Sequence, residues 1–341
     1  MVESLSAMVK ENSMIEGILI EGLIYGLMVL GVFITFRILD FADLTVDGSF
    51  PMGAAIMAVL LIKGVNPVIA VLLSFAGGML AGLITAVIHT KLKIPGLLAG
   101  ILTMTMLYSV NLRIMSNRAN LSLLRVPTVF SWITDFTGKF MNPELGIVLF
   151  LVIIVFAVKT LLDIFFHTDF GLTMGALGSN PQLIISQGMN PEIIKGVGIC
   201  LANGLVAAAG AFASMYQGFA DVGSGTGIVV SGLASVMIGE FIIRTNKISL
   251  LTLRVVLGSI VYRMLMYFAR SYGYVINMSA NDLKLITGLL IVICMIISRT
   301  DIINKLQRQK SRKAYASAGS KESEQQTAAK CSEKDTNGGA Q

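Results

Sequence analysis

Four ionisable side chains follow the first apolar segment of the chain: Arg37, Asp40, Asp43 and Asp47. On a helix, this spacing would place the three carboxylates on roughly one side, where they could bind a metal ion. Gly48 and Pro51 break the helical pattern directly afterwards. We therefore expect a solvated, internally paired turn at this position rather than an ion site.

Charged side chains inside apolar segments are costly, about 2.5–3.5 kcal/mol at mid-helix on insertion scales, so each one suggests a function. Arg263 lies well inside such a segment. Three others lie nearer segment ends, namely Glu21, Glu240 and Arg254. Arg263 could hold a substrate carboxylate, or it could pair with Asp47 or Glu240 as a structural contact.

Two hydroxyl side chains in another apolar segment, those of Thr103 and Thr105, could contact a passing solute. Because they are two residues apart, they do not share a helix face, and at most one would meet the solute. Hydrogen bonds to the backbone of their own helix are the alternative. The candidate residues of a translocation pathway are thus Thr103, Thr105, Arg263 and Asp47.

The sequence shows no arrangement typical of an enzyme. Its two histidines, His89 and His167, lie at the ends of apolar segments, and no nucleophile, base and orienting group occur together. It lacks the phosphate-binding pattern G-x-x-x-x-G-K-[ST], so the chain cannot itself be an ATPase. The three cysteines have neither metal-ligand spacing nor a disulfide framework. We expect a non-catalytic protein with no metal or cofactor of its own.

The composition indicates that the lipid bilayer is the solvent of this protein. Hydrophobic residues make up 55% of the chain and charged residues 13%, against about 25% charged residues in a typical soluble domain. The net charge of +6 does not suggest nucleic-acid binding, since much of it lies in one run after the last apolar segment, at residues 305–313. Such a run is typical of a cytoplasmic anchor.

Hydropathy predicts an all-α bundle of about nine membrane-spanning helices, because a span needs about 20 mostly apolar residues. The predicted spans are 15–38, 49–63, 66–89, 95–115, 145–165, 195–217, 225–243, 248–270 and 283–299. The second and seventh begin in stretches of small residues and would run in opposite directions, as in an inverted repeat. We expect a permease domain at 1–304 and a disordered polar tail at 305–341.

Loop charges predict the orientation of the chain. Three basic groups fall on one side of a nine-span bundle: Lys91 and Lys93, Arg244 and Lys247, and the run at 305–313. By the positive-inside rule that side is the cytoplasm, with the N-terminus outside and the C-terminus inside. The basic loop at 113–144 would then lie outside, against the rule.

The cytoplasmic connection at about 166–194 contains a predicted short helix. Asn180 can cap its start, Pro181 suits its first position, and Gly188 can end it. Apolar residues lie between these signals, at Leu183, Ile184 and Ile185. Local chemistry allows two interpretations, a docking surface for a partner protein or a capped connecting helix.

The run G-A-L-G-S-N-P at 175–181, followed by G-M-N-P at 188–191, resembles the cytoplasmic coupling loop of branched-chain amino-acid and ribose-type ABC permeases. The resemblance covers about residues 15–300, including 202–210, 223–239 and the turn at 37–42. Met174 stands where these permeases often have Arg. The stretch T-V-D-G-S-F-P at 45–51 resembles a subgroup associated with uptake of amino acids, aromatic ones among them.

The resemblance implies a permease subunit of an ATP-driven importer in the bacterial cytoplasmic membrane. It implies a permease dimer, an ATP-binding subunit that holds ATP and Mg²⁺ on the cytoplasmic side, and an extracytoplasmic solute-binding protein. The residues it assigns to the coupling loop are Gly171, Ala176, Gly178, Asn180, Pro181, Ile184, Ile185, Gly188 and Asn190.

Two other classes of protein fit parts of the sequence. A stand-alone secondary transporter or channel would explain the spans and the intramembrane acids, but not the capped helix at 180–188. A structural scaffold would explain the hydropathy but leave Arg263 without a purpose.

Overall fold

The computed structural model describes residues 2–138, 142–243 and 248–273 and the positions 285, 288, 289 and 292, with side chains from residue 14 onwards. The chain divides into two units, residues 1–290 and 291–341. The first unit is described below. Three parts of the sequence prediction lie outside the described residues, apart from isolated positions: the polar tail, the ninth span, and the loop residues Arg244 and Lys247.

The described part of the chain is almost entirely helical. Its eleven α-helices are α1 Val2–Phe33, α2 Val46–Ile62, α3 Pro67–Lys91, α4 Gly96–Ile114, α5 Val129–Thr137, α6 Pro143–His167, α7 Asp169–Ser179, α8 Pro181–Ser186, α9 Pro191–Gln217, α10 Ile228–Ile242 and α11 Ile248–Gly273. A π-helical turn, Ile34–Ile38, extends α1, and a 3₁₀ turn, Val222–Gly225, precedes α10. Two short strands, β1 Asn120–Ser122 and β2 Phe219–Asp221, pair antiparallel.

Seven segments in the described residues are long and apolar enough to cross a membrane: Met14–Ile38, Pro67–Lys91, Gly96–Ile114, Pro143–His167, Pro191–Gln217, Val222–Ile242 and Ile248–Ser271. The all-α prediction is confirmed, whereas the count of nine spans is not. The predicted second span is the 17-residue helix α2, which at 1.5 Å per residue is too short to cross the hydrocarbon core alone.

The bundle has two ends, which we name by their short elements. At the α8 end, Lys91 at the close of α3 lies 3.9 Å from Glu192 at the start of α9. The rings of Phe41 and His89 meet there at a centroid distance of 5.0 Å. At the opposite end, the β end, β2 follows α9 and pairs with β1.

Helix α2 begins in the middle of the bundle rather than at either end. The chain leaves the π-helical turn at the α8 end and returns into the bundle through the non-helical residues 39–45. Gly48, in the first turn of α2, packs against Met104 and Leu107 near the centre of α4. From there α2 runs to the β end, so residues 39–45 and α2 together form one broken span.

Helix α10 begins at the same level and runs the other way. Gly227, at φ +81°, turns the chain into α10. Gly225 packs so tightly on Asp47 that a Cβ there would lie 1.8 Å from the Asp47 carbonyl oxygen. Near the far end of α10, Glu240 contacts Arg37 at the α8 end. The opposite courses of α2 and α10 agree with the prediction from their small-residue stretches, while the inverted repeat itself stays a prediction.

Candidate translocation and coupling sites

A buried polar network holds the non-helical segment inside the bundle. The Asn203 side chain on α9 donates to Asp43 Oδ2 at 2.7 Å and accepts from Ser49 Oγ at 2.7 Å. The Thr45 backbone N–H donates to Asp43 Oδ1 at 2.9 Å, and the Thr45 and Thr85 hydroxyls lie 2.7 Å apart. All five side chains are fully buried. Irregular backbone at this depth needs such partners, because no water is present to satisfy it.

This network overturns the prediction of a solvated, internally paired turn. Asp43 is buried against Asn203, and Asp47 instead binds the start of α10. Arg37 pairs with Glu240, its Nε 2.8 Å from Glu240 Oε1. The chain turns back into the bundle after α1, so the acidic side chains do not share one helical side.

Asp47 caps α10 across the chain. Its Oδ2 accepts the Gly227 N–H at 3.0 Å, and its Oδ1 accepts the Val229 N–H at 2.9 Å. Asp47 also lies in the first turn of α2. The partial positive charges of two helix N-termini therefore face this carboxylate. Among the described residues, no Lys or Arg lies within salt-bridge distance of it.

A cavity of about 240 Å³ lies beside this cap, and we name it the Asp47 cavity. Its lining residues are Asp47, Gly48, Pro51, Met104, Thr105, Tyr108, Asn111, Val222, Gly223 and Thr226. Thr105, Tyr108 and Thr226 are exposed, so the cavity opens on the side of the subunit where α4 faces outward. The cavity lies where α2 and α10 begin inside the bundle, and transporters commonly bind solutes at such helix starts.

The structure brings two of the four predicted pathway residues to this cavity, Asp47 and Thr105. Thr103 is 1% exposed, and its hydroxyl donates to the Ala99 carbonyl on its own helix at 3.0 Å. This placement agrees with the expectation that at most one of the two threonines would meet a solute. Sequence reasoning missed Asn111, although an amide inside an apolar segment is itself a signal.

Arg263 lies elsewhere, between α1 and α11. Its Nη1 is 3.6 Å from Glu21 Oε2, and its guanidinium carbon lies 3.3 Å from the centre of the Tyr25 ring. The predicted pairing with Asp47 or Glu240 is wrong, because Asp47 caps α10 and Glu240 binds Arg37 and Arg254. Arg263 therefore has a structural contact of its own, and it does not line the Asp47 cavity.

The coupling segment, residues 168–190, contains two helices where one was predicted. Helix α7 precedes α8, and the predicted signals of α8 are confirmed. The Asn180 side chain accepts from the backbone N–H groups of Gln182 and Leu183 at 3.1 and 3.4 Å. Pro181 takes the first helical position, and Gly188, at φ +77°, ends the helical course of the chain after α8.

The three aliphatic residues of α8 do not face the same way. Ile184 is 1% exposed, whereas Leu183 is 46% and Ile185 is 54% exposed. The expectation that Ile184 faces a partner is therefore wrong, because it packs into the subunit. Leu183 and Ile185 remain as an apolar surface on this end of the bundle.

The other predicted coupling residues position α7 and α9. A Cβ at Gly171 would lie 2.3 Å from the Phe165 carbonyl oxygen, and one at Gly178 would lie 2.0 Å from that of Ile38. Ala176 is half-buried on the same helix. The Asn190 side chain caps α9 by accepting from the Glu192 N–H at 2.9 Å. Met174 is fully buried, so the residue that replaces the expected Arg is part of the core.

Comparison with known proteins gives a family match over most of the chain. Residues 14–297 match the family described as the permease component of the branched-chain amino acid transport system. A tyrosine transport system permease protein of Clostridioides difficile (strain R20291) is 40% identical over 278 residues, which cover 82% of this chain and 89% of that protein.

An uncharacterised protein of Rickettsia prowazekii (strain Madrid E) is 32% identical over 268 residues, covering 79% of this chain and 91% of that protein. Among solved structures, PsaBC from Streptococcus pneumoniae in complex with Fab is 14% identical and covers 81% of this chain and 89% of its own. Its TM-score of 0.47 is too low to support a shared fold.

Proposed function

The chain belongs to the family of permease components of branched-chain amino acid transport systems, and from that premise we propose that it carries an amino acid across the membrane for an ATP-driven importer. Family membership confirms the predicted multi-pass, non-catalytic transport subunit. It also favours this interpretation over a stand-alone transporter or a scaffold. The observation that carries the proposal is that the chain has both an open cavity, where α2 and α10 begin inside the bundle, and a capped helix with exposed apolar residues, α8, at one end.

The proposed solute is an amino acid, with aromatic amino acids first. The 40% identical relative is named for tyrosine transport, and the identity extends over most of both chains. The stretch at 45–51, which resembles the amino-acid subgroup, contains Asp47, Gly48 and Pro51, three of the residues that line the Asp47 cavity. The proposed solute path therefore includes the part of the chain that carries the resemblance.

Two copies of the chain would face each other across this path. The Asp47 cavity opens where α4 exposes Thr105 and Tyr108, so a second copy on that side would close it. A solute could then pass between two cavities rather than through one subunit. An extracytoplasmic binding protein would deliver the solute at the β end.

The α8 end is the proposed cytoplasmic end, where the ATP-binding subunit docks and holds ATP and Mg²⁺. Leu183 and Ile185 would enter a cleft of that subunit, and full burial of a large aliphatic side chain is worth about 1.5–3 kcal/mol. Movement of α8 would reach the solute path through α7, since Gly178 packs on Ile38 just before the non-helical segment.

Two neighbouring substitutions test docking. In Ile185→Asp, a charge replaces an exposed side chain, so the permease should stay folded. The amount of ATPase that co-purifies with it should fall at least tenfold. In Ile184→Asp, the same charge replaces a buried side chain, so the permease itself should lose stability. Thermal unfolding in detergent separates the two effects.

The matched control is Leu124→Asp, which alters a residue that is 83% exposed near the β end. This variant should retain the ATPase as the wild type does. Retention of a stoichiometric ATPase and full uptake by Ile185→Asp would reduce α8 to a connecting helix.

A further inference from the structure

The two threonine hydroxyl groups that line the Asp47 cavity already donate their hydrogens to the protein. The Thr105 hydroxyl donates to the Leu102 carbonyl at 2.8 Å, and the Thr226 hydroxyl donates to the Gly223 carbonyl. A hydroxyl in this state presents only lone pairs to its surroundings. Both threonines therefore offer the cavity acceptors and no donors.

Asn111 adds an acceptor that has no partner in the protein. Its side chain is fully buried, and its Nδ2 donates to the Gly48 carbonyl at 3.1 Å. Because only the amide nitrogen can donate to a carbonyl, that bond identifies Nδ2, and the remaining amide atom is the oxygen Oδ1. Within the described residues, Asn111 Oδ1 is buried without a hydrogen-bond partner. Leaving such an oxygen unsatisfied is unfavourable, and a ligand in the cavity that this residue lines could satisfy it.

The carboxylate of Asp47 has capacity left for the same ligand. Each of its oxygens accepts one backbone N–H of the α10 start, and a carboxylate offers about four acceptor positions in all. The adjoining Tyr108 ring can also receive a cation on its face. The cavity thus combines a negative charge, two threonine acceptors and an aromatic ring that carries its own hydroxyl, and the unsatisfied amide oxygen belongs to Asn111, another of its lining residues.

We propose that the Asp47 cavity is an ammonium-binding site that receives the protonated amino group of the solute. An ammonium group has donors only, which complements the lone pairs of Asn111, Thr105 and Thr226 and the charge of Asp47. A solute carboxylate would meet the same oxygens and be repelled. The choice of solute rests on the proposed function, whereas the chemistry of the site rests on these side chains alone.

Binding of small probes to the permease–ATPase complex in lipid nanodiscs tests this site without the binding protein. The probes are tyramine, the neutral 4-ethylphenol and the anionic 3-(4-hydroxyphenyl)propionate, compared by saturation-transfer difference NMR. We expect tyramine to bind at least tenfold tighter than either analogue. Equal binding of all three probes would overturn the proposal, as would a preference for the anion or for the neutral probe.

Substitutions locate the binding. Thr105→Val keeps the shape of the side chain but removes its acceptor, and it should weaken tyramine binding several-fold, while Thr105→Ser should restore it. Asn111→Leu should weaken tyramine binding about tenfold, provided that thermal unfolding shows an intact fold. Thr103→Val is the matched control, because Thr103 has the same type of backbone hydrogen bond on the same helix but does not line the cavity.

The outcomes separate this inference from the proposed function. Unchanged tyramine binding in Thr105→Val, or equal weakening in Thr103→Val, would place the ammonium group elsewhere. The ATPase would still co-purify and uptake would still occur, so the importer assignment would stand. Loss of the ATPase from the wild-type complex would instead contradict the proposed function. The preference for tyramine over its two analogues would still decide whether the cavity binds an ammonium group.

Discussion

Asn203→Leu should destabilise the protein more than the loss of a single hydrogen bond would, because the Asn203 amide makes hydrogen bonds to two buried side chains. It donates to Asp43 Oδ2 and accepts from Ser49 Oγ, both at 2.7 Å and both fully buried. A hydrogen bond to a charged group contributes about 1.5–3 kcal/mol, and a neutral one about 0.5–1.5 kcal/mol. We expect a loss of about 2–4.5 kcal/mol in the free energy of unfolding.

The assay is equilibrium unfolding in mixed micelles of dodecyl maltoside and sodium dodecyl sulfate, followed by helical circular dichroism. Thr160→Val is the control, since Thr160 is exposed and bonds only its own helix backbone at Phe156. A double-mutant cycle with Ser49→Ala should give a coupling energy of about 1 kcal/mol with Asn203→Leu.

A different result would refute the account of the broken span. If Asn203→Leu costs less than about 1 kcal/mol, the Asp43 carboxylate does not depend on this amide. If Ser49→Ala and Asn203→Leu are additive, the three side chains do not act as one network. Either result would mean that residues 39–45 are held in the bundle without the Asn203 amide, by packing and by the Thr45–Thr85 hydrogen bond.

Two further predictions concern Arg263 and orientation. Arg263→Leu should retain uptake and lower the free energy of unfolding by about 1–2 kcal/mol, because it removes a weak contact with the partly exposed Glu21 and a cation–π contact with Tyr25. Abolished uptake at normal expression would return Arg263 to the solute path. In a cysteine-free background, Leu92→Cys should be protected from impermeant thiol reagents in intact cells, and strong labelling from outside would reverse the proposed orientation.

Local signals accounted for much of the coupling segment. The cap at Asn180, the start at Pro181 and the stop at Gly188 depend on neighbours within three or four residues, and all three are found in the structure. The face that each aliphatic residue presents depends on what α8 packs against. For that reason the sequence did not distinguish the buried Ile184 from the exposed Ile185.

The sequence by itself determined that the bilayer is the solvent of this protein, that its fold is helical and where most of its spans lie. These properties follow from composition and from apolar runs of fixed length, which need no knowledge of distant contacts. Only the tertiary structure decided that α2 and α10 start inside the bundle. Asp43 meets its partner Asn203 160 residues away, and Asp47 meets Gly227 180 residues away. The carboxylates are tolerated at mid-depth because the folded chain brings an amide and a helix N-terminus to them, and no local spacing encodes that encounter.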